Sequence, residues 1–152
     1  RYGLVGSEMC IRDRLQNMGT PDYLISAACQ LVVAQRLARK NCKKCKIPDD
    51  DVNPKVLQDL GFSAEQASRV KAIKGKGCET CSNTGYKGRQ GIYEILVVSK
   101  PLKEAILRKA TTPELRQIAV KEGFQTMQDM GKRLIASGDL NFREYERVLS
   151  GE

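Results

Sequence analysis

Two pairs of cysteines constrain this chain more than any other feature of its sequence. Cys42 and Cys45 form one C-x-x-C motif, and Cys78 and Cys81 form a second. A two-residue gap lets one tight turn present two thiolates to the same metal ion, and two such turns complete a tetrahedral zinc shell. Because four protein ligands leave no position for water, the spacing predicts a structural zinc site. The chain contains no histidine, which excludes mixed Cys/His ligation.

The composition favours zinc over two alternatives for these cysteines, namely disulfides and four ordinary buried thiols. No stretch approaches the roughly 18 apolar residues of a membrane span, and no signal peptide opens the sequence. We therefore expect a reducing, intracellular compartment, where disulfides are rare. At 152 residues, with 41% hydrophobic and only 5% aromatic residues, the chain is long enough for one core. It suits a helix-rich α+β protein better than a β-sandwich.

The chain is basic, with 26 lysines and arginines, 18 acidic residues and a net charge of +8. Zinc bound by four thiolates is an anionic complex, so nearby cations would offset its charge and lower the thiol pKa values. The alternative is a surface that binds nucleic-acid phosphates. We favour charge compensation because basic residues flank both cysteine pairs. They are Arg36, Arg39, Lys40, Lys43, Lys44 and Lys46 around the first, and Arg69, Lys71, Lys74, Lys76, Lys87 and Arg89 around the second.

Two stretches have the residue pattern of β-strands. Residues 31–38 are rich in β-branched residues near their start and place Val33, Gln35 and Leu37 on one face, which predicts a strand. Residues 92–98 are the clearest strand in the chain.

The segment between the cysteine pairs is predicted to be a helical insert. Asn53 is placed to cap one helix, and Ser63 with Gln66 matches a capping box for a second. Glycines around the second cysteine pair are predicted to form tight turns, several with positive φ. They are Gly75, Gly77, Gly85, Gly88 and Gly91.

Four short amphipathic helices are predicted after the second strand, opened by Ser99, Thr112, Thr126 and Asn141, the last together with Glu144. Stop signals between them indicate a small C-terminal bundle. The predicted inward positions are Leu102, Ile106, Leu107, Leu115, Ile118, Ala119, Tyr145, Val148 and Leu149.

The sequence contains no self-contained catalytic machinery. No G-x-x-x-x-G-K-[ST] phosphate loop occurs, and the absence of histidine excludes Ser-His and Cys-His nucleophile pairs. The carboxylates Glu94, Glu104 and Asp129 are interpreted as solvated. Arg36 and Arg89 are interpreted as surface or compensating charges, with nucleotide phosphate or a neighbouring subunit as the alternative contact.

A series of further motifs extends from Leu15 to Glu152 in a fixed order. They are Met18-Gly19, Tyr23-Leu-Ile-Ser-Ala-Ala28, Val33-Ala-Gln-Arg-Leu37, Gly75-Lys-Gly-Cys-Glu-Thr-Cys81, Thr84-Gly-Tyr-Lys-Gly-Arg89, Gly91-Ile-Tyr-Glu-Ile-Leu96, Gly123, Thr126-Met127 and Gly138. This ordered set resembles the hexameric traffic ATPases that drive bacterial type II secretion and type IV pilus assembly. It is more specific than the cysteines alone.

The resemblance implies the C-terminal portion of a RecA-like α/β ATPase core with a tetracysteine zinc subdomain and a C-terminal helical bundle. It assigns residues 15–41 to the end of the core and 42–91 to the zinc subdomain with its helical insert. Residues 92–152 would supply a strand and the helical bundle. Residues 1–14 lie outside the pattern and are predicted to be a non-native or disordered arm, in which Cys10 has no role.

The same resemblance implies a parent protein that is a cytoplasmic homo-hexamer, peripheral to the bacterial inner membrane. It would use ATP and Mg²⁺ to power type IV pilus assembly or type II secretion by moving an inner-membrane platform protein. The phosphate loop and the magnesium ligands lie upstream in that family, so this chain is expected to lack ATPase activity alone. Its own cofactor would be structural Zn²⁺, held by Cys42, Cys45, Cys78 and Cys81. No nucleic-acid partner is expected.

Two other classes share parts of the pattern. A zinc-ribbon nucleic-acid-binding module would explain the cysteines and the charge, but it predicts aromatic residues among the cations, and none occurs between Arg36 and Lys46. An Hsp40-type chaperone zinc domain contains four C-x-x-C-x-G-x-G repeats. This chain offers one approximate copy, with Asn83 at the first glycine position.

Overall fold

The computed structural model of the chain describes residues 13–150, with the side chain of the last of these left out. Residues 1–12 of the predicted arm (1–14), including Cys10, lie outside this range. Residues 13–17 are helical. Among the described residues, no helix is both long enough and apolar enough to cross a bilayer.

The described chain alternates short helices with strands. In chain order the elements are α1 (Asp22–Ala28), β1 (Leu31–Asn41), β2 (Lys46–Pro48), α2 (Pro54–Asp59), α3 (Ala64–Arg69), β3 (Ile73–Gly75), a 3₁₀ turn (Glu79–Cys81), β4 (Tyr86–Val97), α4 (Lys100–Leu107), α5 (Thr112–Lys121), α6 (Met127–Ala136), α7 (Phe142–Tyr145) and a π-helical turn (Glu146–Ser150). The helix-rich α+β prediction is confirmed.

The elements form two compact units, each built from segments that are distant in sequence. The described part of unit 1 comprises residues 13–35 and 93–126, and that of unit 2 comprises residues 36–92 and 127–150. The four predicted segments, in contrast, are contiguous stretches, and their boundaries remain a prediction. Because α4 and α5 belong to unit 1 while α6 and α7 belong to unit 2, a single C-terminal bundle is not confirmed.

The predicted strands both form and are longer than expected. β1 pairs with β4 in one two-stranded sheet, and β2 pairs with β3 in another. Alternation along β1 buries Ala34 and Ala38, whereas Val33 and Leu37, on the predicted common face, are 46% and 51% exposed. Gly91 lies within β4, so the turn predicted there is wrong.

Unit 1 has an apolar core between the end of β4 and two helices. Its buried members are Leu96, Val98, Leu102, Ala105, Ile106, Ala110, Leu115 and Ala119. Helix α4 buries Leu102 and Ile106 as predicted, but Leu107 is 51% exposed. Successive helical residues turn by about 100°, which carries Leu107 away from the face shared by Leu102 and Ile106.

Helix boundaries in unit 2 follow the predicted capping residues. Asn53 accepts a hydrogen bond from the Val56 N–H at 3.0 Å, and Ser63 and Gln66 exchange two bonds of 3.1 Å. Asn141 likewise accepts from the Glu144 N–H at 2.8 Å and so caps α7. Such caps satisfy backbone N–H groups that have no partner inside the helix.

Candidate metal centre

The first cysteine pair lies in a tight turn directly after β1. Because β1 ends at Asn41, Cys42 is the first residue of this turn and is buried. The Cys45 N–H donates to the Cys42 carbonyl at 3.3 Å, which closes the turn. The Cys42 N–H donates to the Gly85 carbonyl at 2.9 Å, so the first pair is bound to the backbone that follows the second pair.

The second cysteine pair occupies the 3₁₀ turn before β4. The N–H groups of Cys81 and Asn83 both donate to the Cys78 carbonyl, at 3.1 and 2.9 Å. Ser82 and Asn83 have φ of 51° and 58°, which continues the turn through the left-handed region. This backbone brings the sulfurs of residues 78 and 81 to the same side of the turn, 3.7 Å apart.

The four sulfurs form a cluster with the dimensions of a zinc tetrathiolate site. All lie within 4.8 Å of one another. The Sγ atoms of Cys42 and Cys78, and those of Cys45 and Cys81, are 3.9 Å apart. A tetrahedron with Zn–S bonds near 2.3 Å has edges of about 3.8 Å, so the donor set fits this ion. Disulfides require about 2.05 Å, so none joins these cysteines.

Backbone N–H groups around the cluster favour thiolates over thiols. Cys81 Sγ accepts from the N–H groups of Cys78 at 3.2 Å and Gly85 at 3.3 Å, and Cys45 Sγ accepts from Gly77 N–H at 3.3 Å. Burial raises the pKa of Cys81, but these N–H donors and the neighbouring thiols outweigh it and lower that pKa to about 6. Burial dominates at Cys45 and raises its pKa to about 11. Of these two thiols, Cys81 is therefore the more readily deprotonated.

The two glycine-containing segments beside the cluster approach each other too closely for any side chain. A Cβ atom built on Gly75 would lie 2.0 Å from the Gly85 carbonyl oxygen, and one on Gly77 would lie 2.8 Å from the Asn83 oxygen. Gly77 and Gly85 also have φ of 104° and 77°, which favours glycine. The predicted tight backbone around Cys78 is confirmed.

Gly75→Ala is expected to lower the free energy of unfolding by about 3 kcal/mol, because the backbones at Gly75 and Gly85 must separate. Gly88→Ala is the matched control. Gly88 has φ of 81° with no neighbouring atom within 4 Å of its Cβ position, so only a left-handed backbone cost of about 1–2 kcal/mol applies. Urea denaturation of the zinc-loaded proteins measures the free energy of unfolding of both variants. Equal losses would contradict the close approach.

The basic residues flanking the cysteines differ in their contacts and exposure. Some are paired with carboxylates, including Arg69 with Glu65 at 2.7 Å and Lys74 with Asp49 at 2.8 Å. Six others are exposed, namely Lys43, Lys44, Lys71, Lys76, Lys87 and Arg89. Of these, Lys87 Nζ donates to the Thr80 carbonyl within the second cysteine turn, at 3.0 Å. Compensation of a tetrathiolate charge by the flanking basic residues remains a prediction.

Sequence reasoning missed a buried polar network beside the centre. Glu144, interpreted only as part of a helix start, is fully buried and paired with Arg39 at 2.7 Å and Arg147 at 2.5 Å. The Arg39 guanidinium also lies 4.2 Å from the Tyr86 ring centroid. These two arginines and the Arg39 N–H outweigh burial and lower the Glu144 pKa to about 2. Period-2 alternation assigns Arg39 and Asn41 to the same face of β1, yet Asn41 is buried and the Arg39 side chain is half exposed. No local sequence pattern therefore marks this network.

Other predicted polar positions have ordinary structural roles. Arg36 donates from its guanidinium to the Val148 carbonyl, and Arg89 is exposed. Glu94 was predicted to be solvated, and this is wrong, because its side chain is buried in β4. Period-2 alternation assigns it to the same face as Ile92 and Leu96, which are also buried.

The family of the chain follows from comparison with known proteins. A family model described as "Type II/IV secretion system protein" matches residues 7–147, a range that contains both cysteine pairs and the whole network around them. The chain therefore belongs to this family.

Curated relatives of the chain come from both branches of the family. It is 39% identical to the Type IV pilus assembly ATPase PilB of Thermus thermophilus, over 78% of this chain and 13% of that protein. It is 36% identical to PilB of Pseudomonas aeruginosa, over 89% of this chain and 24% of the relative. The Type II secretion system protein HxcR of the same species is 31% identical over the same shares. The chain spans a quarter or less of the length of each.

Proposed function

We propose that this chain is the zinc-bearing C-terminal part of an ATPase that powers type IV pilus assembly or type II secretion. The family match across residues 7–147 carries the proposal. The relatives named as pilus assembly ATPases support ATP hydrolysis by the parent protein. The chain has no phosphate loop of its own, so its contribution is structural, and ATP with Mg²⁺ binds elsewhere in the parent.

The proposed metal is a structural Zn²⁺ ion held by Cys42, Cys45, Cys78 and Cys81. The sulfur spacing near that of a Zn–S tetrahedron supports it. With four thiolates bound, the ion would have no open position for chemistry and would cross-link the two ends of the insert that carries α2 and α3. This cross-link would keep the insert stiff while the parent changes conformation.

An exposed apolar face in unit 1 supports the proposal that the end of a RecA-like core lies here. Leu31, Val33, Tyr93, Ile95 and Val97 alternate along β1 and β4 and are 40% to 62% exposed. A two-stranded sheet is marginal by itself, and a contiguous apolar face of this kind favours burial against further structure. We propose that other strands of the parent's core cover it.

The parent is further proposed to be a homo-hexamer in the cytoplasm, peripheral to the inner membrane, and to act on an inner-membrane platform protein. Type IV pilus and type II secretion relatives match over similar lengths, so both machines remain proposed contexts. The ion pairs that engage Arg39, Arg69 and Lys74 support local roles for the basic residues over a nucleic-acid surface.

The test is Cys78→Ser in the full-length parent. We expect loss of bound zinc and a severe defect in surface pili or in secreted protein, measured in the source bacterium with the parent gene replaced. Cys29→Ser is the control, because Cys29 packs against the unit 1 core and is not one of the four clustered cysteines. Normal metal content together with normal pili and secretion would reject the proposal.

A further inference from the structure

We infer that Asn141 is a positioning residue that couples the metal centre to helices α6 and α7. The inference rests on the zinc site of the proposed function and extends it, because it makes metal binding and the order of the C-terminal helices interdependent. Asn141 itself is not proposed to bind zinc. It acts through the backbone on either side of the cysteines.

One amide group contacts the segments that carry both cysteine pairs. Asn141 Nδ2 donates to Asn41 Oδ1 at 3.1 Å and to the Tyr86 hydroxyl at 2.9 Å. Asn41 directly precedes Cys42. Tyr86 follows Gly85, whose N–H donates to Cys81 Sγ at 3.3 Å. Through its two contacts, Asn141 therefore reaches the residue next to Cys42 and the residue next to Gly85, whose backbone binds both Cys81 Sγ and the Cys42 N–H.

Asn41 transmits this contact because it is itself fixed on every side. It is 1% exposed, and its Nδ2 donates to the carbonyls of Ile73 at 2.9 Å and Gly138 at 3.1 Å. Its N–H donates to the Asp139 carbonyl at 2.8 Å. The end of β1, the start of β3 and the segment joining α6 to α7 thus share one buried side chain.

The remaining polar atom of Asn141 is used by the helix that follows. Its Oδ1 accepts from the Glu144 N–H at 2.8 Å and caps α7. A primary amide combines two N–H donors with a carbonyl acceptor, a combination that serine and aspartate lack. The residue type is therefore required by the bridge to Asn41 and Tyr86, whereas the cap alone would accept several residues.

Two reciprocal effects follow from this arrangement. If zinc fixes the cysteine turns, it also fixes Asn41 and Tyr86 and hence the start of α7. Coupling between two sites is reciprocal in free energy. If removing zinc loosens α6 and α7, then a substitution that loosens the Asn141 contacts must weaken zinc binding by the same coupling free energy.

The first test compares Asn141→Ser with Asn53→Ser in the full chain. Serine keeps the cap at each site, but at position 141 it cannot reach both Asn41 and Tyr86. Asn53 caps α2 from an exposed position, so it controls for cap chemistry. Competition with a chromophoric chelator at pH 7 measures the zinc dissociation constant. We expect a rise of about tenfold for Asn141→Ser, as for residues that orient metal ligands indirectly, and less than twofold for Asn53→Ser.

The second test uses Tyr86→Phe, which removes one acceptor hydroxyl and keeps the ring beneath Arg39. Amide hydrogen exchange is followed with zinc bound and after chelation. In wild type, chelation is expected to speed exchange in α6 and α7 but not in α4 and α5. In Tyr86→Phe, the zinc-bound protein is expected to show part of this acceleration already. Hydrogen exchange in Tyr86→Phe tests the coupling even if Asn141→Ser does not fold.

The outcomes separate this inference from the proposed function. Unchanged zinc affinity in Asn141→Ser, or equal exchange in α6 and α7 before and after chelation, overturns the coupling while leaving the zinc site standing. Failure of the wild-type chain to bind one zinc ion per molecule overturns the zinc site itself, and the coupling with it.

Discussion

Replacing Cys81 with serine is expected to weaken zinc binding more than 100-fold and to lower the free energy of unfolding of the zinc-loaded chain by about 3 kcal/mol. Structural zinc contributes roughly 10–16 kcal/mol of apparent binding free energy in small zinc peptides, so one of four ligands accounts for about a quarter. A serine hydroxyl stays protonated at neutral pH and is a poor zinc ligand. Cys81 is also buried, and its sulfur accepts N–H bonds from Cys78 and Gly85.

Metal content by mass spectrometry of the native protein and urea denaturation with excess zinc measure both effects of Cys81→Ser. Cys29→Ser serves as the control, since Cys29 is half-buried and belongs to unit 1. Its zinc content should stay at one ion per chain. Retention of stoichiometric zinc by Cys81→Ser at wild-type affinity would show that the cluster is not the binding site.

Glu144→Gln is expected to lower the free energy of unfolding by about 2–3 kcal/mol at pH 7. The Glu144 carboxylate is fully buried and accepts hydrogen bonds from the Arg39 N–H and from both the Arg39 and Arg147 guanidinium groups. Hydrogen bonds to charged groups contribute more than neutral ones. Both arginine side chains are about half exposed, so water solvates them after the change, and the loss stays below that of a wholly buried ion pair.

The pH dependence of this loss has a defined sign. The Glu144 pKa is lowered from 4.5 to about 2, so the ionised side chain stabilises the folded state fully above its unfolded pKa. This stabilisation is lost as the pH falls from about 4.5 towards 2. The difference between wild type and Glu144→Gln should be constant from pH 8 to 5.5 and should shrink below pH 4.5. Acid release of zinc affects both proteins, so the difference isolates Glu144.

Exposed Glu146, two residues further on, provides the control for Glu144. Glu146→Gln should change the free energy of unfolding by less than about 0.5 kcal/mol, as is usual for surface positions. Urea denaturation of both variants and the wild type at pH 7 and pH 3.5 supplies the comparison. A loss for Glu144→Gln that is as small as that for Glu146→Gln would contradict the buried ion-pair network.

Local features were predictable from the sequence because each depends on neighbouring residues. The C-x-x-C turns, the cap at Asn53, the capping box at Ser63 and the close backbone at Gly75 are all confirmed. Each involves a few consecutive residues or a spacing whose chemistry permits few alternatives. Coordination of the four sulfurs by zinc remains a prediction.

Features set by distant contacts were not predictable in the same way. Alternation along β1 defines two faces, but tertiary packing decides that Ala34 is buried and Val33 exposed. The burial of Glu144 depends on Arg39, which is more than a hundred residues earlier in the chain. The helical pattern of α4 through α7 likewise indicates four amphipathic faces without indicating that they divide between two units.

Unit 2 is built from two separate stretches of the chain, so its two parts are synthesised at different times. Both cysteine pairs emerge before Asn141 and Glu144, whose side chains bind the C-terminal end of β1 in the folded unit. At ribosomal rates of about 5–20 residues per second, the stretch from Cys81 to Asn141 takes roughly 3–12 s. During this interval the nascent thiols are available to cellular metal ions and oxidants before Asn141 and Glu144 are in place.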